Sequence, residues 1–171
     1  MKINLTSLKE GLNEINYEHS AETLLLTRLE EIGDSFNSPI KIELTINKVG
    51  SQFFLKVITD TTANFTCDRC LEKYNQKLHD EFRLVYSTEK KYVAVAQNEK
   101  GIRFLTSDTV EIDITDDIRE SILITIPMKK ICFEDCRGLC SECGINLNLS
   151  SCDHKSQKMD SRWEALKKLT V

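Results

Sequence analysis

"PIKIELTINKVGSQFFLKVITDTTANFTC", residues 39–67, decides the fold class. Ile40, Ile42, Leu44 and Ile46 alternate with polar residues, Gly50 marks a turn, and Phe53, Leu55 and Val57 resume the alternation. A period of two sends every second side chain to the same face, so the stretch predicts a β-hairpin with one face buried. Further short strands are predicted at "DEFRLVYST" (80–88), "KKYVAVAQ" (90–97) and "GIRFLTSD" (101–108). "CDRC" (67–70) falls between the hairpin and these strands, where a turn belongs.

Beyond residue 112 the period changes. In "DITDDIRESILITIP" (113–127), Ile114, Ile118, Ile122 and Ile126 recur every four residues with Leu123 beside them, which predicts an amphipathic helix over 113–126. Acidic side chains in its first turns suit the positive end of the helix dipole, and Pro127 stops it. The acidic run Asp108, Glu111, Asp113, Asp116 and Asp117 reads as a solvated face and cap. "SAETLLLTRLEEIG" (20–33) predicts a short helix closed by Gly33. "DSRWEALKKLT" (160–170) predicts another, capped by Asp160, with Trp163, Leu166 and Leu169 on one side. The expected class is α+β. An antiparallel β-rich body with a few short helices spans 1–126, a cysteine-rich segment with a C-terminal helix spans 127–171, and the two form one continuous domain.

A chain of 171 residues, 40% hydrophobic and 29% charged, has the composition of a globular protein with a real core. No apolar run approaches the ~20 residues that span a bilayer, and the opening "MKINLTSLKEGLNEIN" has no apolar signal-peptide core. The expectation is a cytoplasmic protein without a membrane partner. Net charge is −4, with the Lys/Arg surplus confined to residues 127–171. That excludes a bulk polycation and leaves room for a local basic face.

A reducing compartment does not sustain structural disulfides, so clustered cysteines there point to metal or to redox chemistry. Cys67 and Cys70 stand in "CDRC"; Cys132, Cys136, Cys140, Cys143 and Cys152 crowd into 132–152 around "CRGLCSECG". With His154 they make eight soft donors, enough for two tetrahedral zinc ions. Cys140 and Cys143 have the tight knuckle spacing, Gly144 permits the positive φ that such turns favour, and "CDH" supplies Cys152 and His154 nearby. The remaining pair, Cys132 and Cys136, then joins Cys67 and Cys70. Plainer readings stand beside these: a redox pair at Cys67 and Cys70, although no helix opens after it, and a surface histidine at His154, between Asp153 and Lys155. His19 and His79 have no companions. Nearly all the donors are thiolates, which quench Lewis acidity, and no Gly-rich phosphate loop or Ser-His-Asp set is present. The zinc ions are therefore expected to be structural, and the protein no enzyme and without a small-molecule substrate.

"CDRCLE", "IPMKKIC", "DCRGLCSECGINLN" and "DSRWEALKKL" together resemble the YceD-type large ribosomal RNA subunit accumulation proteins of bacteria and plastids, across essentially the whole chain. Ser141 and Ser161 stand where the family usually has Pro, and His154 where many relatives place Cys. The resemblance implies a non-enzymatic factor that supports accumulation of 23S ribosomal RNA through synthesis, processing or assembly of the large subunit. Its expected partner is ribosomal RNA, or else a large-subunit ribosomal protein or assembly factor. Arg69, Lys129, Lys130, Arg137, Lys155 and Lys158 are presented by the cysteine-rich loops, with Lys129, Lys130 and Arg137 the candidates for RNA contact. Neutralisation of thiolates is the competing role for the same cations.

Overall fold

The computed structural model describes residues 1–24, 26, 35–36, 38–88 and 102–154. The chain runs through β1 (Lys2–Asn4), a 3-10 turn (Leu5–Ser7), β2 (Gly11–His19), β3 (Ser35–Phe36), β4 (Ile40–Val49), β5 (Gln52–Thr66) and β6 (Lys73–Ser87). It continues through β7 (Ile102–Phe104), β8 (Glu111–Asp113) and α1 (Thr115–Thr125). The six-stranded sheet has the order β2-β4-β5-β6-β7, with β3 also on β5, while β1 and β8 form a separate ribbon.

The expected hairpin is β4–β5, closed by Gly50 and Ser51 between the paired Val49 and Gln52, with Gly50 at φ +57°. Its alternation decides what is buried. Ile40, Ile42, Leu44 and Ile46 on β4, and Phe53, Leu55 and Val57 on β5, enter one core. The 3-10 turn, Leu24, Leu26, the β1–β8 ribbon, Ile114 at the N-cap of α1, and Ile118 and Ile122 within α1 cover that face. The same parity continues down β5 through Thr59, Thr61, Ala63 and Phe65 to Cys67, all buried. Beyond the last β4 partner at Asp60, β5 and β6 stay paired to Thr66↔Lys73, so the turn at 67–72 caps the far end of a long two-stranded ladder.

Four expectations need correction. The sheet is mixed, because β7 runs parallel to β6. Helices are fewer than expected: α1 is the single α-helix among the described residues. Of the helix expected over 20–33, residues 21–24 form turns instead, and nearly all of the remainder lies outside the described residues. Leu24 and Leu26 are buried in the core that the sheet forms. Leu123 does not join the isoleucines; it is 40% exposed on the outer side of α1. The acidic run is not simply solvated. Asp117 is only 12% exposed and takes both guanidinium nitrogens of Arg103, which also donates to the Tyr86 hydroxyl (3.2 Å). Asp113 accepts the N–H (2.9 Å) of Thr115, the first residue of α1, although the N-cap position itself is Ile114, which makes no side-chain cap bond.

Sequence reading passed over β2, whose inward positions include Asn13 and whose outward ones are Leu12, Glu14, Asn16 and Glu18. An edge strand half covered by the core keeps mixed residues on both faces and blurs the period. It also starts β6 late, at residue 80 instead of Lys73, since "KYNQKLH" (73–79) has only Tyr74 and the buried Leu78 as apolar residues. The strand expected at 90–97 and the helix expected at 160–170 lie outside the described residues.

Candidate metal centres

Pro127 turns the chain out of α1 and back to the end of the β5–β6 ladder. There the Asp68 N–H donates to the Lys130 carbonyl (2.8 Å) and the Lys130 N–H to the Asp68 carboxylate (2.7 Å). This reciprocal pair sets Cys132 and Cys136 against Cys67 and Cys70. Donor atoms of the four all lie within 4.8 Å of one another. The sulfurs of Cys67 and Cys136 are 3.9 Å apart, and those of Cys70 and Cys132 3.6 Å. Tetrahedral thiolates about 2.3 Å from a zinc ion would sit about 3.8 Å from each other, so the donor set fits that ion.

Cys140, Cys143, Cys152 and His154 form a second group with the same 4.8 Å limit. The two groups differ in shelter. In the inner one Cys67, Cys70 and Cys136 are buried and Cys132 half-buried. In the outer one Cys140 is at the edge of burial, Cys152 is half-buried, and Cys143 and His154 are exposed.

Both C-x2-C turns close in the same way. The Leu71 N–H donates to the Cys67 carbonyl and the Cys67 N–H to the Glu72 carbonyl, each at 2.9 Å. The Gly144 N–H donates to the Cys140 carbonyl and the Cys140 N–H to the Ile145 carbonyl, again at 2.9 Å. The residue after the second cysteine has positive φ in both, +60° at Leu71 and +71° at Gly144.

The thiols are tuned by their surroundings. Burial pushes Cys67 up, but backbone N–H groups of Cys132, Cys70 and Arg69 outweigh it and hold the thiol at about 6. Burial and the neighbouring thiols push Cys132 up to about 12. In the outer group, the backbone N–H groups of Cys143 and Glu142, with the Cys152 thiol, lower Cys140 to about 6. Four packed thiols cannot all ionise without a counter-charge, which a divalent cation supplies.

Second-row partners were not legible beforehand. Arg69 donates to the carbonyls of Glu134 (3.3 Å) and Cys136 (2.8 Å), so it holds the inner loop together rather than standing free. The Asn148 amide donates to the Cys136 sulfur (3.3 Å), and its oxygen accepts the Arg137 N–H (2.7 Å). The repeated Asn in "INLN" was the available signal, since Asn side chains bond neighbouring backbone. Of the three cations singled out, Lys129 and Arg137 are exposed, whereas the Lys130 ammonium sits 5.5 Å from the centre of the buried Phe65 ring.

Three comparisons bear on identity. A relative in Mycobacterium leprae, itself uncharacterized, is 22% identical over 152 residues, covering 89% of this chain and 69% of that protein. An uncharacterized Mycobacterium tuberculosis protein is 23% identical over 187 residues, covering 96% of this chain and 89% of its own length. The Arabidopsis thaliana protein named large ribosomal RNA subunit accumulation protein YCED homolog 1, chloroplastic, is 23% identical over 154 residues; these cover 75% of this chain and 48% of the plant protein. No solved structure matches. The family model for the large ribosomal RNA subunit accumulation protein YceD matches residues 55–170, from within β5 past both cysteine groups. That span contains every candidate ligand and most of the chain, and the protein belongs to the YceD family.

Proposed function

We propose that this protein is a non-enzymatic, cytoplasmic factor that supports accumulation of 23S ribosomal RNA during synthesis, processing or assembly of the large subunit. Two structural zinc ions hold its partner-binding lobe. Cys67, Cys70, Cys132 and Cys136 bind the first, and Cys140, Cys143, Cys152 and His154 the second. The observation that carries the reading is the gathering of eight soft donors into two groups of four, each within 4.8 Å, in a chain of this family. Thiolate-rich sites of this kind staple loops and leave no open position for a substrate. Because the inner group takes two ligands from each side of residue 126, the β-rich body (1–126) and the cysteine-rich segment (127–171) act as one domain.

A ribosomal protein or assembly factor as the direct partner is the second reading, and charge favours it. An ion with four thiolates keeps a double negative charge, and one with three thiolates and an imidazole a single one. Arg69 is engaged with carbonyls and Lys130 with Phe65. Depletion of the protein tests the function: large-subunit RNA should fall relative to small-subunit RNA. Unchanged ratios would refute it. Crosslinking in cells, read for RNA and for protein, separates the two partners.

A further inference from the structure

The outer group lies against the inner one. Residues 138–149, which include the Cys140–Cys143 turn, reach the inner knuckle through the Leu139 N–H, which donates to the Arg69 carbonyl (3.1 Å), and are closed on themselves by the Leu147 N–H, which donates to the Gly138 carbonyl (2.9 Å). The fit at Gly138 is tight, because a Cβ there would come within 2.9 Å of the Arg69 carbonyl oxygen, at a φ of +76°. The Asn146 amide reaches the Glu72 carboxylate (3.4 Å). Asn148 lies in sequence between two outer ligands, Cys143 and Cys152, yet gives its amide hydrogen to Cys136, an inner one.

We infer that the outer group is the metal-exchange site of this protein, and that its occupancy governs how firmly the inner group holds its ion, through Asn148. The inference rests on the reading that both groups bind zinc. All outer ligands come from residues 140–154, and Cys143 and His154 are open to solvent, so a chelator or a competing thiol can approach that ion directly. The inner ligands are largely shut in and come from segments more than 60 residues apart, so their ion can leave only after the loop is displaced. While the outer ion is present, the loop 144–151 is tied at both ends. Asn148 is then held at Cys136, where its N–H bond fixes the sulfur in its place among the inner ligands. Loss of the outer ion frees both ligated ends of the loop and leaves only hydrogen bonds, from the Arg137 N–H to Asn148 and from the Leu147 N–H to Gly138, to keep Asn148 at Cys136, so that contact loosens. Asn148 is therefore a positioning residue for the inner site. Removing a partner of this kind costs metal sites about 10- to 100-fold in affinity.

The test is chelator-driven zinc release from the full chain, followed by native mass spectrometry with N-ethylmaleimide mapping of the freed thiols. The expected course is accumulation of a one-zinc species whose Cys140, Cys143 and Cys152 are alkylated while Cys67, Cys70, Cys132 and Cys136 are protected. Cys143→Ser, which disables the outer site, and Asn148→Ala should each speed inner release by about tenfold, and the double variant should add nothing, because both act on the same contact. Simultaneous loss of both ions, alkylation of the inner thiols first, or additive effects in the double variant would overturn the inference. Should Asn148→Ala fail to fold, the alkylation order in the unaltered protein still decides. A preparation without bound zinc would instead refute the two-zinc reading beneath it.

Discussion

Leu71 occupies in the first C-x2-C turn the position that Gly144 occupies in the second. Each donates its N–H to the carbonyl of the first cysteine at 2.9 Å, and each has positive φ. A left-handed conformation costs a residue with a Cβ about 1–2 kcal/mol, and glycine gives back about 0.5–1 through its looser unfolded chain. Leu71 is 63% exposed, so its side chain contributes little packing in return. Leu71→Gly should therefore stabilise the metal-loaded protein by about 0.5–1 kcal/mol, and Gly144→Leu should destabilise it by about the same 0.5–1 kcal/mol. Chemical denaturation of the two variants checks the opposite signs; equal signs would mean that Leu71 has a packing role in the folded protein.

Cys67→Ser should do broader damage than Cys140→Ser. Cys67 is fully buried at the end of the β5 face, and its group ties the β5–β6 ladder to residues 132–136. The partners of Cys140 all lie within residues 140–154, so its loss should open that stretch and leave the sheet protected. Limited proteolysis ranks the two directly. Early cleavage in the sheet of the Cys140 variant would argue against this division.

Asp113 makes stability depend on acid. Bonds from the Thr115 hydroxyl, the chain's amino group and the Thr115 N–H hold its carboxyl well below the usual carboxylate range. A group whose folded-state pKa is depressed adds stability that is complete above its unfolded value of about 3.9 and is lost as pH falls toward the folded value. Asp113→Asn should cost up to about 1 kcal/mol at pH 7, the scale of a solvent-exposed ion pair such as the one Asp113 makes with the amino group of Met1. The gap between variant and parent should close below about pH 4. A pH-independent difference in Tm would assign the loss to packing.

The cations of the lobe have a measurable signature. If Lys129, Lys130 and Arg137 contact RNA phosphates, changing all three to Gln lowers affinity and flattens its salt dependence. Each lost contact takes about 0.7–0.9 from the slope of log affinity against log salt. An unchanged slope, with crosslinks to protein only, would give these side chains the role of balancing thiolates.

Sequence alone determined the elements whose information is periodic or local. The alternation of Ile40 to Ile46 and Phe53 to Val57 requires a sheet face, and the four-residue spacing of Ile114, Ile118 and Ile122 requires a helix face; each set is buried as its period demands. Ligand types and C-x2-C spacing likewise pointed to two groups of four, and the fold brings those same residues together. Tertiary structure decided the rest. No local pattern says that β7 runs parallel to β6, that Asp117 belongs to Arg103, or that β2 forms an edge, since each depends on a partner far along the chain. Nor could spacing reveal that Arg69 grips the carbonyls of 134 and 136, or that Asn148 reaches across to Cys136. Side chains that serve a neighbouring segment carry no period of their own. Their role exists only once the β5–β6 ladder has carried Cys67 and Cys70 to its end and the returning chain has been hydrogen-bonded there.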